Sequence, residues 1–311
     1  MTPTFPEAIL TQPLCMYAPA LPAFAQRFER IGARMAATSF FAPIARVARD
    51  ARDAPFLGTG LISRISDSEP MSLTIADFVK QRNPMRAENG VAIIHVSDVL
   101  AQGVTNADKL FGMSDYGDIS AEINAAAADP SISAIVLQIS SPGGSVVGAP
   151  EAAQAVANAA SVKPVVASIS DIGASAAYYL AAASSAIYAQ GSGLVGSIGT
   201  RLQFMDFAGM LAASGITPHI ITPKASDLKA AANPMRTPTQ AENEWLQAHV
   251  ESFNAAFTGW VSTHRPKATA AEMRGQVFTG NEAAQNGLAD YVGNLSDAIA
   301  GAITLADFAA R

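Results

Sequence analysis

The chain has 311 residues, enough for one large α/β domain or a core domain with an extension. Half of the residues are apolar and only 15% are charged, which supports a sizeable core and excludes global disorder. The net charge of −6 and the lack of any five-residue basic run argue against nucleic acid as a partner. Cys15 stands alone, so the sequence offers neither a disulfide framework nor a thiolate metal cluster. No apolar run reaches the roughly 18–20 residues that a membrane span requires, and the N-terminus has no basic region before its apolar residues. A cytoplasmic protein is the expectation from these features.

Residues 1–88 differ in texture from the rest. Arg-rich, weakly amphipathic pieces (24–49, then 71–82) alternate with Pro and Gly breaks, and 51–69 reads as a linker. The segment is expected to be a mainly helical N-terminal extension to a domain covering 89–311.

From Gly90 the pattern is regular. VAIIHV (91–96) reads as a strand, DISAEINAAAADP (118–130) as a helix stopped by Pro130, and SAIVLQIS (133–140) as a second buried strand. After SPGGS come an Ala-rich helix (149–160), the strand PVVASIS (164–170) and a second Ala-rich helix (174–184). AIYAQ (186–190), 198–206 and 215–224 read as further strands, and 237–265 as a long helix. Strands alternating with helices predict parallel βαβ units, and continuous apolar strands predict a sheet covered on both faces.

Two strand-to-helix junctions could carry chemistry. In Ser141-Pro142-Gly143-Gly144-Ser145, paired glycines let a backbone approach closely and aim N–H groups at an oxyanion. An ordinary turn fits the same residues, while a phosphate loop is disfavoured because neither GxxxxGK[ST] nor GxGxxG is present. At the second junction Ser175 opens a helix among the small residues Gly173, Ala174, Ala176 and Ala177, where the next N–H is free to bind an oxyanion. A serine there is also an ordinary N-cap.

A serine nucleophile needs a base. No GxSxG elbow is present, and His95, His219, His249 and His264 lack spacing that would pick out an orienting carboxylate. Lysine can serve if its amine is desolvated enough to be neutral. Lys229 lies beside Leu228 and three alanines, with Lys224 as the alternative; a solvated surface charge is the plain reading of either.

Taken in order, SPGG (141–144), Ala174-Ser175 followed by small residues and Tyr178-Tyr179, Val195-Gly196-Ser197-Ile198-Gly199, Lys229 ahead of Asn233-Pro234, and VFTGNEAAQNGLADYVG (277–293) resemble the signal peptide peptidase A (protease IV) family of Ser–Lys peptidases, especially the head-maturation proteases of phages and prophages. The resemblance runs from about 91 to 290. It implies Ser175 as nucleophile, Lys229 as general base, Ser197 as the residue orienting that lysine, and the backbone N–H groups of Gly144 and Ala176 as oxyanion donors. Counting back from Asn233-Pro234 favours Lys229 over Lys224. Many relatives have Gly-Gly where this chain has Ala176-Ala177, which would narrow the substrate channel.

The resemblance also implies a Clp-protease/crotonase-like α/β fold of repeated βαβ units. Ring-shaped homo-oligomers are implied too, in which a neighbouring subunit can complete each active site, with no metal or organic cofactor. The expected substrate is a polypeptide: phage or prophage capsid, scaffold or portal protein, with the enzyme cytoplasmic or on the procapsid. Alternatives are a soluble peptidase of signal peptides and other short peptides, and a non-catalytic assembly protein. A crotonase-like acyl-CoA enzyme ranks lower, having no need of a Ser175/Lys229 pair.

Overall fold

The structure is a computed structural model that describes residues 14–16 and 86–310. The helices and linker expected within 1–88 lie outside the described residues, apart from two short strands. In chain order the elements are β1 (Leu14–Met16), β2 (Arg86–Glu88), β3 (Val91–Ala101), α1 (Asn106–Leu110), β4 (Met113–Asp115), α2 (Tyr116–Ala128) and β5 (Ala134–Ser145). Then follow α3 (Ala149–Ala160), β6 (Val165–Ala174), α4 (Ala176–Ala182), β7 (Ala186–Ala189), β8 (Leu194–Gly196) and α5 (Ala208–Ala213). A 3₁₀ helix at Lys224–Ala230 precedes the long α6 (Gln240–His264), and β9 (Val277–Thr279), α7 (Gly280–Gln285), β10 (Tyr291–Val292) and α8 (Leu295–Ala309) complete the chain.

The expected α/β architecture of repeated βαβ units is present. The sheet runs β10-β7-β6-β5-β3-β2, and β3, β5, β6 and β7 are mutually parallel. Alternation along each central strand explains why they read as continuous apolar runs. Ala92, Ile94, Val96, Ile135, Leu137 and Ile139 face one core with α2, α3 and α4. Val91, Ile93, Ala134, Val136 and Val166 face a second core closed by Ala298 and Ala302 of α8. Each large aliphatic side chain so buried contributes about 1.5–3 kcal/mol.

Helix boundaries follow local chemistry. The Asp115 carboxylate accepts from the Gly117 N–H (2.6 Å) to start α2, and α3 starts at Gly148, whose φ of 91° suits glycine, with Pro150 in its first turn. At α6, Thr239 and Glu242 cap each other's backbone N–H groups reciprocally, and Asn294 caps α8 by accepting from Ser296 N (2.8 Å).

Three expectations are corrected. The SPGGS segment is no turn: β5 stays extended through Ser145, held by β3 on one edge, and the chain turns only at 146–148. Helix α4 starts at Ala176 rather than 174, because Ser175 adopts a left-handed φ. Neither 198–206 nor 215–224 forms a strand; only an isolated bridge residue occurs, at Arg201. An extended run becomes a strand only with a partner, and β6 already pairs with β8, as β8 does with β9.

Candidate active site

The centre of the site is the corner where β6 becomes α4. Ser175 has φ 56° and ψ −122°, a conformation costing a non-glycine residue about 1–3 kcal/mol. Its N–H donates to Gly196 O (2.7 Å), and Tyr179 N donates to Ser175 O (2.9 Å), so the backbone is clamped on both sides. Ser175 is 1% exposed, and its hydroxyl oxygen has no hydrogen-bond partner among the described residues. Leaving a buried hydroxyl unpaired costs about 1–3 kcal/mol. A strained, buried and unpaired hydroxyl at a strand end is poorly explained by stability and well explained by a reacting group. It makes no capping hydrogen bond, which removes the ordinary N-cap reading.

The wall behind this corner is rigid. Every residue of α4 is buried. Tyr178 donates to Leu288 O (2.8 Å), and burial pushes its phenol well above the usual range. Trp260 Nε1 donates to Tyr179 O (3.0 Å) while its ring stacks on Tyr179, centroids 5.6 Å apart. Buried Arg265, at the end of α6, donates from Nε to Ala182 O (3.0 Å), from Nη2 to Ser184 O and from Nη1 to Asp290 Oδ2 (2.8 Å). These residues hold both ends of α4, and thereby Ser175, against α6 and the segment after α7. The sequence reading missed Trp260 and Arg265; the Tyr178-Tyr179 pair, whose polar atoms need buried partners, was the available signal.

Ser197 follows Gly196, whose carbonyl receives the Ser175 N–H, so the two serines sit at the ends of adjacent paired strands. Ser197 is buried, has φ 51° and donates its N–H to Gln276 O (2.7 Å) on the far side. Gly144 lies in β5 opposite Leu100, where an added Cβ would stand 1.8 Å from Leu100 O. Close approach of β3 therefore demands glycine at this position independently of any ligand. Gly143 takes φ 98°, with its N–H donating to Ser141 Oγ (3.1 Å). Ala176 supplies the first N–H of α4, which lacks an intrahelical acceptor.

Lys229 makes no hydrogen bond to Ser175 within one chain. It lies exposed on the 3₁₀ helix Lys224–Ala230, as does Lys224, and the Ser175 hydroxyl has no hydrogen-bond partner among the described residues. The lysine segment is nevertheless anchored at its base. Arg236 donates to Ala230 O (3.3 Å) and pairs with buried Glu242 through both oxygens, Nη1 to Oε2 at 2.8 Å. That pairing and the Thr239 cap hold the Glu242 carboxyl down at about 2. The arm between β8 and α6 also exposes Met205, Phe207, Met210, Ile216, Ile221 and Met235, and α5 within it buries no residue.

Of the histidines, His264 Nδ1 lies 2.9 Å from Trp260 O within its own helix, and His249 packs between Trp245 and Phe253. Among the described residues no group of three or more His, Cys, Asp or Glu is arranged to hold a metal ion. No helix of the described residues is long and apolar enough to cross a membrane.

A mostly parallel βαβ sheet thus presents a strained, buried serine at the end of one strand. Comparison with known proteins shows what this arrangement is similar to. Residues 157–309 match the model of peptidase family S49, a stretch that contains Ser175, Ser197 and Lys229. A protein of Methanocaldococcus jannaschii named as a protease is 33% identical over 55% of this chain and 55% of its own length. The capsid assembly protease C of Escherichia phage lambda is 29% identical over 72% of this chain and 51% of its own. An Enterococcus faecium protein named as a signal peptide peptidase is 28% identical over 66% of this chain and 60% of its own. Thus the chain spans about half to three-fifths of the length of these relatives. Among solved structures, an enoyl-CoA hydratase from Polaromonas sp. JS666 aligns over 72% of this chain and 76% of that one, at 16% identity and a TM-score of 0.36. Residues 157–309 of the chain are thus similar to peptidase family S49, and the relatives that the chain resembles include proteins named as a signal peptide peptidase and as protease 4.

Proposed function

We propose that the chain is a serine endopeptidase in which Ser175 attacks a peptide carbonyl and Lys229 accepts its proton. The observation that carries the reading is the Ser175 hydroxyl itself: buried, without a hydrogen-bond partner, and held on a strained corner at a strand end. Ser197, one residue beyond the carbonyl that clamps Ser175, orients the lysine amine. The backbone N–H groups of Gly144 and Ala176 receive the developing oxyanion, a donor of this kind contributing about 3–4 kcal/mol to catalysis. Protonated Lys229 then delivers its proton to the leaving amine, and water hydrolyses the acyl-enzyme.

Lys229 reaches the site from a neighbouring subunit. Its exposure, the lack of a partner on Ser175 within one chain, and the apolar residues exposed along the same arm all support a homo-oligomeric ring closed through this arm. The substrate is a polypeptide of a phage or prophage head: capsid, scaffold or portal. The lambda relative is named for capsid assembly, and its similarity covers more of this chain than the other two relatives' does. Co-expression with a cognate capsid protein tests this reading. Cleavage that vanishes with Ser175→Ala is expected; incorporation without cleavage would show an assembly protein instead.

A further inference from the structure

Strand β5 has different neighbours along its length. Through Ser141, opposite Gly173, its second edge is taken by β6. Beyond that point β6 pairs with β8 on its far side, through Ala174 opposite Gly196, and the chain turns at Ser175 into α4. The last residues of β5 would thus expose one edge of backbone beside the Ser175 corner, the other edge remaining with β3 (Gly143 opposite Val99, Gly144 opposite Leu100). That edge is filled by the chain's own N-terminal segment. β1 lies antiparallel to β5, Leu14 opposite Ser145, Cys15 opposite Gly144 and Met16 opposite Gly143. Ser141 is opposite Gly173, the last β5–β6 pair, and both Gly143, which faces Met16, and Ser175 lie two residues beyond it on their own strands.

We propose that Leu14–Met16 occupies, in cis, the strand position that an extended polypeptide must take to be cut at Ser175, so that the N-terminal segment is a built-in competitor for substrate. Unpaired strand-edge N–H and C=O groups bind an added strand with little regard to its side chains. Because it belongs to the same chain, the segment competes at an effective concentration set by its tether, whereas a free substrate competes only at its bulk concentration. The inference rests on Ser175 being the reactive residue, and extends that reading to who occupies the cleft.

The test uses the full-length chain. Consecutive residues of a strand point their N–H groups to opposite edges, so Cys15→Pro/Met16→Pro removes the ladder donor whichever residue faces β5. Cys15→Ala/Met16→Ala keeps both donors and serves as control. In a Ser175→Ala background, a fluorescently labelled peptide of residues 10–20 should bind the double-proline chain at least about tenfold more tightly than the double-alanine chain. With Ser175 present, the double-proline chain should cleave casein several-fold faster than the control. Equal peptide binding by the two chains, or equal cleavage rates in chains that do cleave, overturns the inference. Selective peptide binding without cleavage by any chain would leave the strand site standing and remove the peptidase reading. Cleavage that depends on Ser175, with equal peptide binding, would do the reverse.

Discussion

A site assembled from Ser175 of one subunit and Lys229 of the next can be rebuilt from two dead chains. Ser175→Ala removes the nucleophile and Lys229→Ala the base, and loss of either group should lower casein cleavage by at least about 10²-fold. In a mixed ring made from equal amounts of both variants, half of the subunits carry Ser175 and the other half carry Lys229. At random, about a quarter of the subunit junctions join an intact serine to an intact lysine, so activity should return to about 25% of wild type. The structure motivates the number: Lys229 is exposed, Ser175 is buried with its hydroxyl unpaired, and no bond joins them within a chain. The assay is casein hydrolysis by differently tagged variants, co-expressed and purified through both tags. A doubly tagged oligomer no more active than either parent would refute the shared site and return Lys229 to its own subunit's serine.

Ser175→Gly should raise stability while abolishing activity. Relief of about 1–3 kcal/mol of backbone strain outweighs the roughly 0.5–1 kcal/mol entropic cost of glycine, a rise in Tm of a few degrees for a domain of this size. Calorimetry showing a lower Tm would mean that the φ of 56° is not strained. Gly144→Ala should cost at least about 3 kcal/mol or prevent folding, because the new Cβ would meet Leu100 O at 1.8 Å in a β5–β3 contact that cannot widen without breaking the ladder. A soluble variant with an unchanged Tm would show that β3 gives way. Glu242, held down from its ordinary 4.5 to about 2 by Arg236 and the Thr239 cap, contributes stability that is fully present above pH 4.5 and is lost as pH falls towards 2. Acid unfolding of Glu242→Gln should therefore begin from a lower plateau and be flatter across that window; a parallel curve would contradict the pairing.

The half of the sheet around Ser175 was legible because each signal is local. β-branched runs at 91–96 and 164–170 form the start of β3 and most of β6, and the Ala-rich run 149–160 coincides with α3. Ser175 was picked out by its place between a buried strand and small residues, and the structure supplies what the sequence cannot: a left-handed φ and an unpaired hydroxyl. The SPGGS segment misled because glycines signal turns, whereas here Gly144 stays extended so that the β3 backbone can come close. The β-branched stretches 198–206 and 215–224 misled for the opposite reason. Their composition suits strands, but a strand exists only through its neighbour, and among the described residues these stretches gain no more than the isolated bridge at Arg201. Helix α8, which closes the second face of the sheet, lay unread beyond the last motif, its apolar stripe less conspicuous than the repeated strands. Nothing near Leu14–Met16 marks a strand in isolation; only the free edge of β5 makes it one.

The most direct measurement of the central claim is covalent labelling of the full-length protein with a fluorophosphonate, followed by peptide mapping. Wild type should carry one adduct, on the peptide containing Ser175, with labelling lost in Ser175→Ala and strongly slowed in Lys229→Ala. An adduct on another residue, or unchanged labelling once Ser175 is gone, would contradict the assignment of Ser175 as the nucleophile.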